Sequence, residues 1–399
     1  MSAQEKVAVT GLGCLCGLGG NIAACREGLF QERKDSAPPT LFKSKLQIAY
    51  PVFEVGAGLP TESPAAPYGL GRTSALALAA TEEALRDAAL DPAATGSLRV
   101  GVCIGSTIGC AFNSPDFYTA YLQRAEPKMG PVKRYLSNNP ATLIARHFGF
   151  TGPCQTVVNA CSSSTDAIGI AAEWIRAGLC DLVITGGTDE LSQVIYYGFA
   201  SLMVADSEPC RPFDKDRKGL NLGEGAAMMI LESAKALASR KSRIQAFVSG
   251  YGASGDAYHL TAPSPEGKGL RSAIQKALAG GVKRPDEIAF VNAHGTGTQD
   301  NDKVESTVLH DLLPGVPFLS TKGFTGHTLG AAGSVEAVLT ILSLQEGKIP
   351  ASPGFREADP NLPSAPVGQT TIIKGRTALS ESLAFGGHNS VIMVEVADA

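Results

Sequence analysis

KVAVTGLGCLCGLGG at residues 6–20 and RIQAFVSGYGASGDA at residues 243–257 are two copies of one pattern. Each opens on an apolar, β-branched run and passes into closely spaced glycines, which predicts a strand followed by a glycine-rich turn. The same succession recurs outward from each copy. After the first, residues 75–89 carry helical spacing and residues 99–104 read as a strand ending in Gly105-Ser106-Thr107. After the second, a helix around 270–279 leads to a strand at 288–291, ending in Asn292-Ala293-His294-Gly295-Thr296. An apolar helix closes each half, at 163–177 and at 331–344. Between them, residues 140–148 read as helix, 155–159 and 181–185 as strands, and the Gly/Pro-rich 55–71 as a surface loop. Alternating strands and helices predict an α/β protein. The repeat predicts two related halves, 1–245 and 246–399, with a site at the seam between them.

Composition narrows the function. The 399 residues carry 34 Lys+Arg against 38 Asp+Glu, a formal charge of −4, which gives no field for nucleic-acid binding. A hydrophobic content of 44% supports a sizeable core. No apolar run reaches the roughly 18 residues of a membrane span, and MSAQEKVAVT has no signal-peptide pattern, so a cytoplasmic protein is expected. Nine cysteines, an odd number, read mostly as reduced, buried small hydrophobes. Cys14-x-Cys16 lacks the two-residue gap of a zinc knuckle and has no nearby His, so no metal is expected there. Gly11-Leu12-Gly13-Cys14-Leu15-Cys16 misses the dinucleotide fingerprint because Cys16 stands where the third glycine belongs.

Four stretches are able to carry chemistry. In VVNACSSSTDA (157–167) a β-run ends at Ala160, and Cys161 falls on a strand-to-helix turn. A helix N-terminus favours the thiolate and presents backbone donors to an oxyanion, although a packed cysteine before a helix is also common. In VNAHGTGTQD (291–300) His294 follows an apolar strand, either lining a cleft or bonded to backbone. Thr296 and Thr298 there offer hydroxyls to a polar ligand or are ordinary turn residues. In STKGFTGHTLGAAGSVE (320–336), Lys322, His327 and Glu336 are spaced to reach one pocket. Glu336 in an apolar helix needs a partner, for which Lys322 is the candidate, unless both lie at the surface. SLAFGGHN (382–389) is a flexible glycine loop or a hairpin turn.

These motifs, with RPFD (211–214), GEGA (223–226) and DAYH (256–259), stand in an order and spacing that resembles the β-ketoacyl-[acyl carrier protein] synthases, the elongating condensing enzymes of the thiolase superfamily. The resemblance runs over nearly the whole chain. It implies a thiolase-like fold of two pseudo-duplicated halves in five αβαβα layers. It implies that Cys161 takes the acyl chain and that neutral His294 and His327 hold the malonyl thioester and its enolate. Lys322 and Glu336 then form a supporting pair that holds His327, and the N–H groups of Cys161 and Phe385 form the oxyanion hole. Phe385 matches a gating aromatic, and Thr296 and Thr298 match hydroxyls that bind the phosphopantetheine arm. Ile108 and Phe112 match pocket residues contributed across a dimer that pairs through 155–159.

By the same resemblance, the substrates arrive on acyl carrier protein with no further cofactor and no metal. A homodimer is implied, or a heterodimer with a ketosynthase-like partner subunit. Decarboxylation makes a carbanion without a base, so two hydrogen-bond donors suffice; the related thiolases need a second Cys, which neither GHTLGAAG nor FGGHN contains. A non-catalytic chain-length subunit is the alternative that the presence of Cys161 opposes. The last motif departs from the usual NSFGFGGTN, with Leu383 and Ala384 for an aromatic and a glycine and His388 for a threonine. Arg72 stands alone where housekeeping members carry a basic cluster, leaving Arg124, Lys128, Lys133 and Arg134 as a carrier-docking group or a solvated face. Both departures keep a specialised polyketide or aryl-polyene pathway open beside fatty-acid elongation.

Overall fold

The computed structural model describes residues 5–56, 58–107 and 114–397. Its first half contains β1 (Val7–Leu15), α1 (Arg72–Asp87), β2 (Val100–Gly105), α2 (Pro140–Phe148), β3 (Cys154–Val157), α3 (Ser163–Arg176), β4 (Leu182–Asp189) and β5 (Gly225–Glu232). The second contains β6 (Ala246–Gly255), α4 (Lys268–Gly281), β7 (Phe290–Asn292), α5 (Gln299–Leu312), β8 (Phe318–Leu319), α6 (Ala332–Glu346), β9 (Thr377–Ala384) and β10 (His388–Val396).

The ten strands run β8-β7-β9-β10-β6-β1-β5-β4-β2-β3. Counted from the centre, each half therefore follows the order first, fifth, fourth, second, third. The ladder directions repeat as well. The first strand pairs antiparallel to the fifth and the fifth to the fourth, and the two outer pairings are parallel. An antiparallel seam joins the halves, with Val7 opposite Val248 and Val9 opposite Ala246. Helices α3 and α6 lie between the two halves of the sheet, and α1, α2 and α4, α5 cover its outer faces, giving five αβαβα layers. The central position explains α6, which is apolar on all sides and buried from Ala332 to Leu344.

The glycine stretches are strand, not turn. β1 runs on through Leu15 and β6 through Gly255. Glycine at these points admits a helix backbone rather than bending the chain. A Cβ on Gly11 or Gly13 would stand 2.2 and 2.0 Å from the carbonyls of Ala84 and Ala80 in α1. In the second half, a Cβ on Gly250 or Gly252 would stand 2.2 and 2.0 Å from those of Ala277 and Ala273 in α4. The duplicated glycines thus mark a duplicated helix-on-strand contact.

One core group is out of keeping with its surroundings. Glu381 on β9 is fully buried, and neither carboxylate oxygen has a partner among the described residues. Burial, aided by Glu305, pushes its pKa well above the carboxylate range. The folded state therefore holds a proton that the unfolded chain releases above about pH 4.5, so stability is lost as pH rises. Glu381→Gln is expected to stabilise the protein, with its advantage in urea midpoint widening from pH 5 to pH 8. An advantage independent of pH would show that Glu381 folds ionised.

Candidate active site

The nucleophile turn is built from strain and small side chains. After β3 the chain reverses at Ala160, a non-glycine residue with φ 47°. The carbonyl of Ala160 accepts from Ser163 Oγ at 2.6 Å and Thr107 Oγ1 at 3.1 Å, which holds that uncommon conformation. Gly105 lets α3 start against β2, because a Cβ there would meet the Ser163–Ser164 backbone at 2.3–2.4 Å. Cys161 is left at the head of α3 with its sulfur in a cavity of about 290 Å³. His294, His327, Thr296, Thr298 and Phe385 share the lining, which extends to Met203, 87% exposed at the surface.

His294 leaves the end of β7. Its backbone N–H and that of Gly295 donate to the two oxygens of Glu305, both at 2.6 Å. His327 follows a four-residue helix, Lys322–Thr325, and its backbone N–H donates to the Asn221 carbonyl at 2.7 Å. The sulfur of Cys161 and a nitrogen of each imidazole all lie within 4.8 Å of one another. His327 Nε2 is 3.0 Å from the sulfur, and the two rings stand edge to face at 5.2 Å.

Lys322 and Glu336 are not at the surface; each is 1% exposed and they pair at 2.5 Å. The ammonium serves the other histidine from the one expected. Lys322 Nζ donates to His294 Nδ1 at 3.0 Å and to the His294 carbonyl at 2.6 Å, and makes no contact with His327. Donation to Nδ1 places the His294 proton on Nε2. On His327 it acts by charge alone, and Nδ1 of that ring has no partner among the described residues. Burial, reinforced by the charge of Lys322, holds both imidazoles well below their ordinary pKa, so both are neutral at pH 7. Burial pushes the Glu336 carboxyl up to about 7 against the pull of Lys322.

The thiolate expected at a helix N-terminus is not the resting state. Burial pushes the Cys161 thiol up to about 11, with Lys322 and the Phe385 N–H opposing. The first-turn donors are already occupied, since Ser162 and Ser163 N–H donate to the carbonyls of Asn159 and Ala160. The Phe385 N–H is directed at the sulfur. Its ring stacks on Phe199 at 5.8 Å, and Phe199 stands edge-on to His327. Ile108 and Phe112 lie outside the described residues.

Asp166 was missed by sequence reasoning. It accepts from Asn159 Nδ2 at 2.8 Å and Ser162 Oγ at 3.1 Å, on either side of the nucleophile. It also accepts from Tyr251 on β6 at 2.8 Å and from Ser390 on β10. One carboxylate thus ties the nucleophile turn to the strand that follows the Phe385 loop. The signal was the one used for Glu336, a carboxylate inside a helix of small and apolar residues. Phe199 and Glu305 had no comparable signal.

Residues 4–236 match the family model described as beta-ketoacyl synthase, N-terminal domain, and residues 245–356 match beta-ketoacyl synthase, C-terminal domain. The chain is 33% identical to a 3-oxoacyl-[acyl-carrier-protein] synthase 2 from Synechocystis, over 97% of each chain. It is 33% identical to nodulation protein E of Rhizobium meliloti, over 98% of each. Among solved structures it is similar to the ishigamide ketosynthase/chain length factor, with a TM-score of 0.92 and 29% identity over 99% of this chain and 100% of that one. It also resembles the ketosynthase ApeO in complex with its chain length factor ApeC from Xenorhabdus doucetiae, with a TM-score of 0.88 and 30% identity over 98% of each chain.

Asp166→Ala leaves four donors without their acceptor and is expected to cost on the order of 2–3 kcal/mol in urea unfolding. Under native conditions it should also change the alkylation rate of Cys161 by tenfold or more. A loss of stability with an unaltered alkylation rate would show that the network does not position the sulfur.

Proposed function

The chain belongs to the β-ketoacyl synthase family, and we propose that it lengthens a carrier-bound acyl chain by two carbons through decarboxylative Claisen condensation. The observation that carries this is one sulfur beside two neutral imidazoles. The Cys161 thiol attacks the acyl thioester of acyl carrier protein; the new thioester forms and the carrier thiol leaves with the proton. The His327 Nε2–H, 3.0 Å from the sulfur, stabilises it as its proton passes to the leaving carrier sulfur. A malonyl thioester then binds with its carbonyl between His294 Nε2 and His327 Nε2. Loss of CO2 leaves the C–C electron pair on the α-carbon as an enolate, whose oxygen the two N–H groups stabilise. The α-carbon attacks the acyl-Cys161 carbonyl, and the tetrahedral oxyanion accepts from the Cys161 and Phe385 N–H groups. Collapse expels the Cys161 thiolate, which takes up a proton.

Every electron pair is supplied by substrate or side chain, so the chemistry calls for no cofactor beyond the phosphopantetheine arm. Thr296 and Thr298, whose hydroxyls lie 2.9 Å apart on the cavity wall, serve that arm. Burial of the imidazoles, reinforced by the charge of Lys322, keeps them from becoming charged before the enolate forms. A dimer belongs to the same proposal. Strand β3 is a sheet edge, Val158 just beyond it is 60% exposed, and helices Pro115–Leu122 and Gly130–Ser137 bury no residue and expose Leu122 and Leu136. Open strand edges and contiguous apolar surface are features of subunit interfaces. No helix among the described residues is long and apolar enough to cross a membrane, and eight described cysteines are free thiols, which fits a cytoplasmic location. Fatty-acid and polyketide-type extension use the same chemistry. Leu383 and Ala384 beside Phe385 line the acyl cavity and bias the chain it accepts.

Incubation with a ladder of acyl-carrier thioesters and malonyl carrier is expected to give 3-oxoacyl products two carbons longer, read by mass. Cys161→Ala should yield none, and extension by that variant would overturn the assignment. Cys161→Ala should still decarboxylate malonyl carrier, at a rate level from pH 6 to 8 that falls only at lower pH. That sign follows from imidazoles that stay neutral until well below 6.5. A rate that climbs as pH falls through 6.5 would mean imidazolium is the active form.

A further inference from the structure

A second cluster of sulfur lies outside the chemistry described so far. Cys14 on β1 and Cys16 just beyond it are two residues apart, and helix Ile22–Phe30 brings Cys25 against them in its first turns. The three sulfurs lie within 4.8 Å of one another, and Cys16 and Cys25 are 3.8 Å apart. All three are free thiols, none more than 2% exposed. We infer that Cys14, Cys16 and Cys25 form a trigonal thiolate site for monovalent copper.

The spacing suits the ion. A metal–sulfur bond of about 2.3 Å places three coplanar sulfurs about 4 Å apart, so the cluster needs only a slight contraction. Thiolate-only donor sets select soft ions, and monovalent copper accepts three ligands. Zinc would need a fourth. The nearest carboxylate is committed, since Glu83 accepts from the Cys14 N–H at 2.9 Å and the Ile22 N–H at 2.8 Å. The start of a nine-residue helix beside Cys25 adds positive potential. Binding releases the thiol protons, Cu(I) plus three thiols giving a copper tris-thiolate and three protons.

Access runs through the turn above the site. Cys16 and Gly19 exchange two backbone hydrogen bonds of 3.0 Å, and Gly20 and Asn21 beyond them are exposed. A Cβ on Gly20 would meet nothing within 4 Å, so the solvent end of this turn is unpacked.

The test is an anaerobic titration with Cu(I) against a chromophoric chelator, in a Cys161→Ala background that removes the other sulfur–imidazole group. One copper per chain is expected, with ultraviolet sulfur-to-copper charge transfer and release of up to three protons. Cys16→Ala and Cys25→Ala should each weaken binding at least a hundredfold, and Cys210→Ala should not. Equal binding by all three variants, or none by the parent, overturns the proposal. X-ray absorption on the copper-loaded parent needs no further variant: three sulfurs near 2.3 Å support the site, and nitrogen ligation sinks it.

Discussion

One buried ammonium organises the site. Lys322 touches Glu336 and both the ring and the carbonyl of His294, and its charge reaches His327 and Cys161. It fixes one proton on His294 and adds to the burial that keeps both imidazoles uncharged. It also opposes, without cancelling, the burial that keeps the thiol protonated. Such a cation is tolerable only because Glu336 reaches it from the middle of the most deeply buried helix. Loss of either member would strand the other's charge in the core.

The duplicated scaffold divides the labour. The first half supplies the nucleophile, at the point where β3 gives way to α3. The second supplies both histidines, the lysine, the glutamate and the Phe385 amide. A site split in this way depends on registration between halves, which the β1–β6 seam, the α3–α6 contact and the hydrogen bonds to Asp166 provide. The contact between the central helices is tight enough that a Cβ on Gly333 would lie 1.9 Å from Thr165 Oγ1.

Much of this was legible in the chain. The repeated strand pattern announced two halves, and the three chemical motifs named the residues that meet. What escaped was set by packing. Glycines read as turns are strand because their role is to admit α1 and α4, and that requirement lies in residues far along the sequence. The Cys161 thiol was expected to ionise because a helix begins beside it, but its burial outweighs that end and keeps the proton on sulfur. Lys322 was assigned to the histidine nearer in sequence and serves the more distant one. Cys25 joins Cys14 and Cys16 only through the fold, so the pair alone gave no hint of a third sulfur.

The stack of Phe385 on Phe199 sets a condition on reactivity. Ring and amide belong to one residue, beside Gly386 and Gly387, both with positive φ. A shift of that turn would move ring and amide together, so the sulfur keeps its donor only where the ring leaves the stack by side-chain rotation.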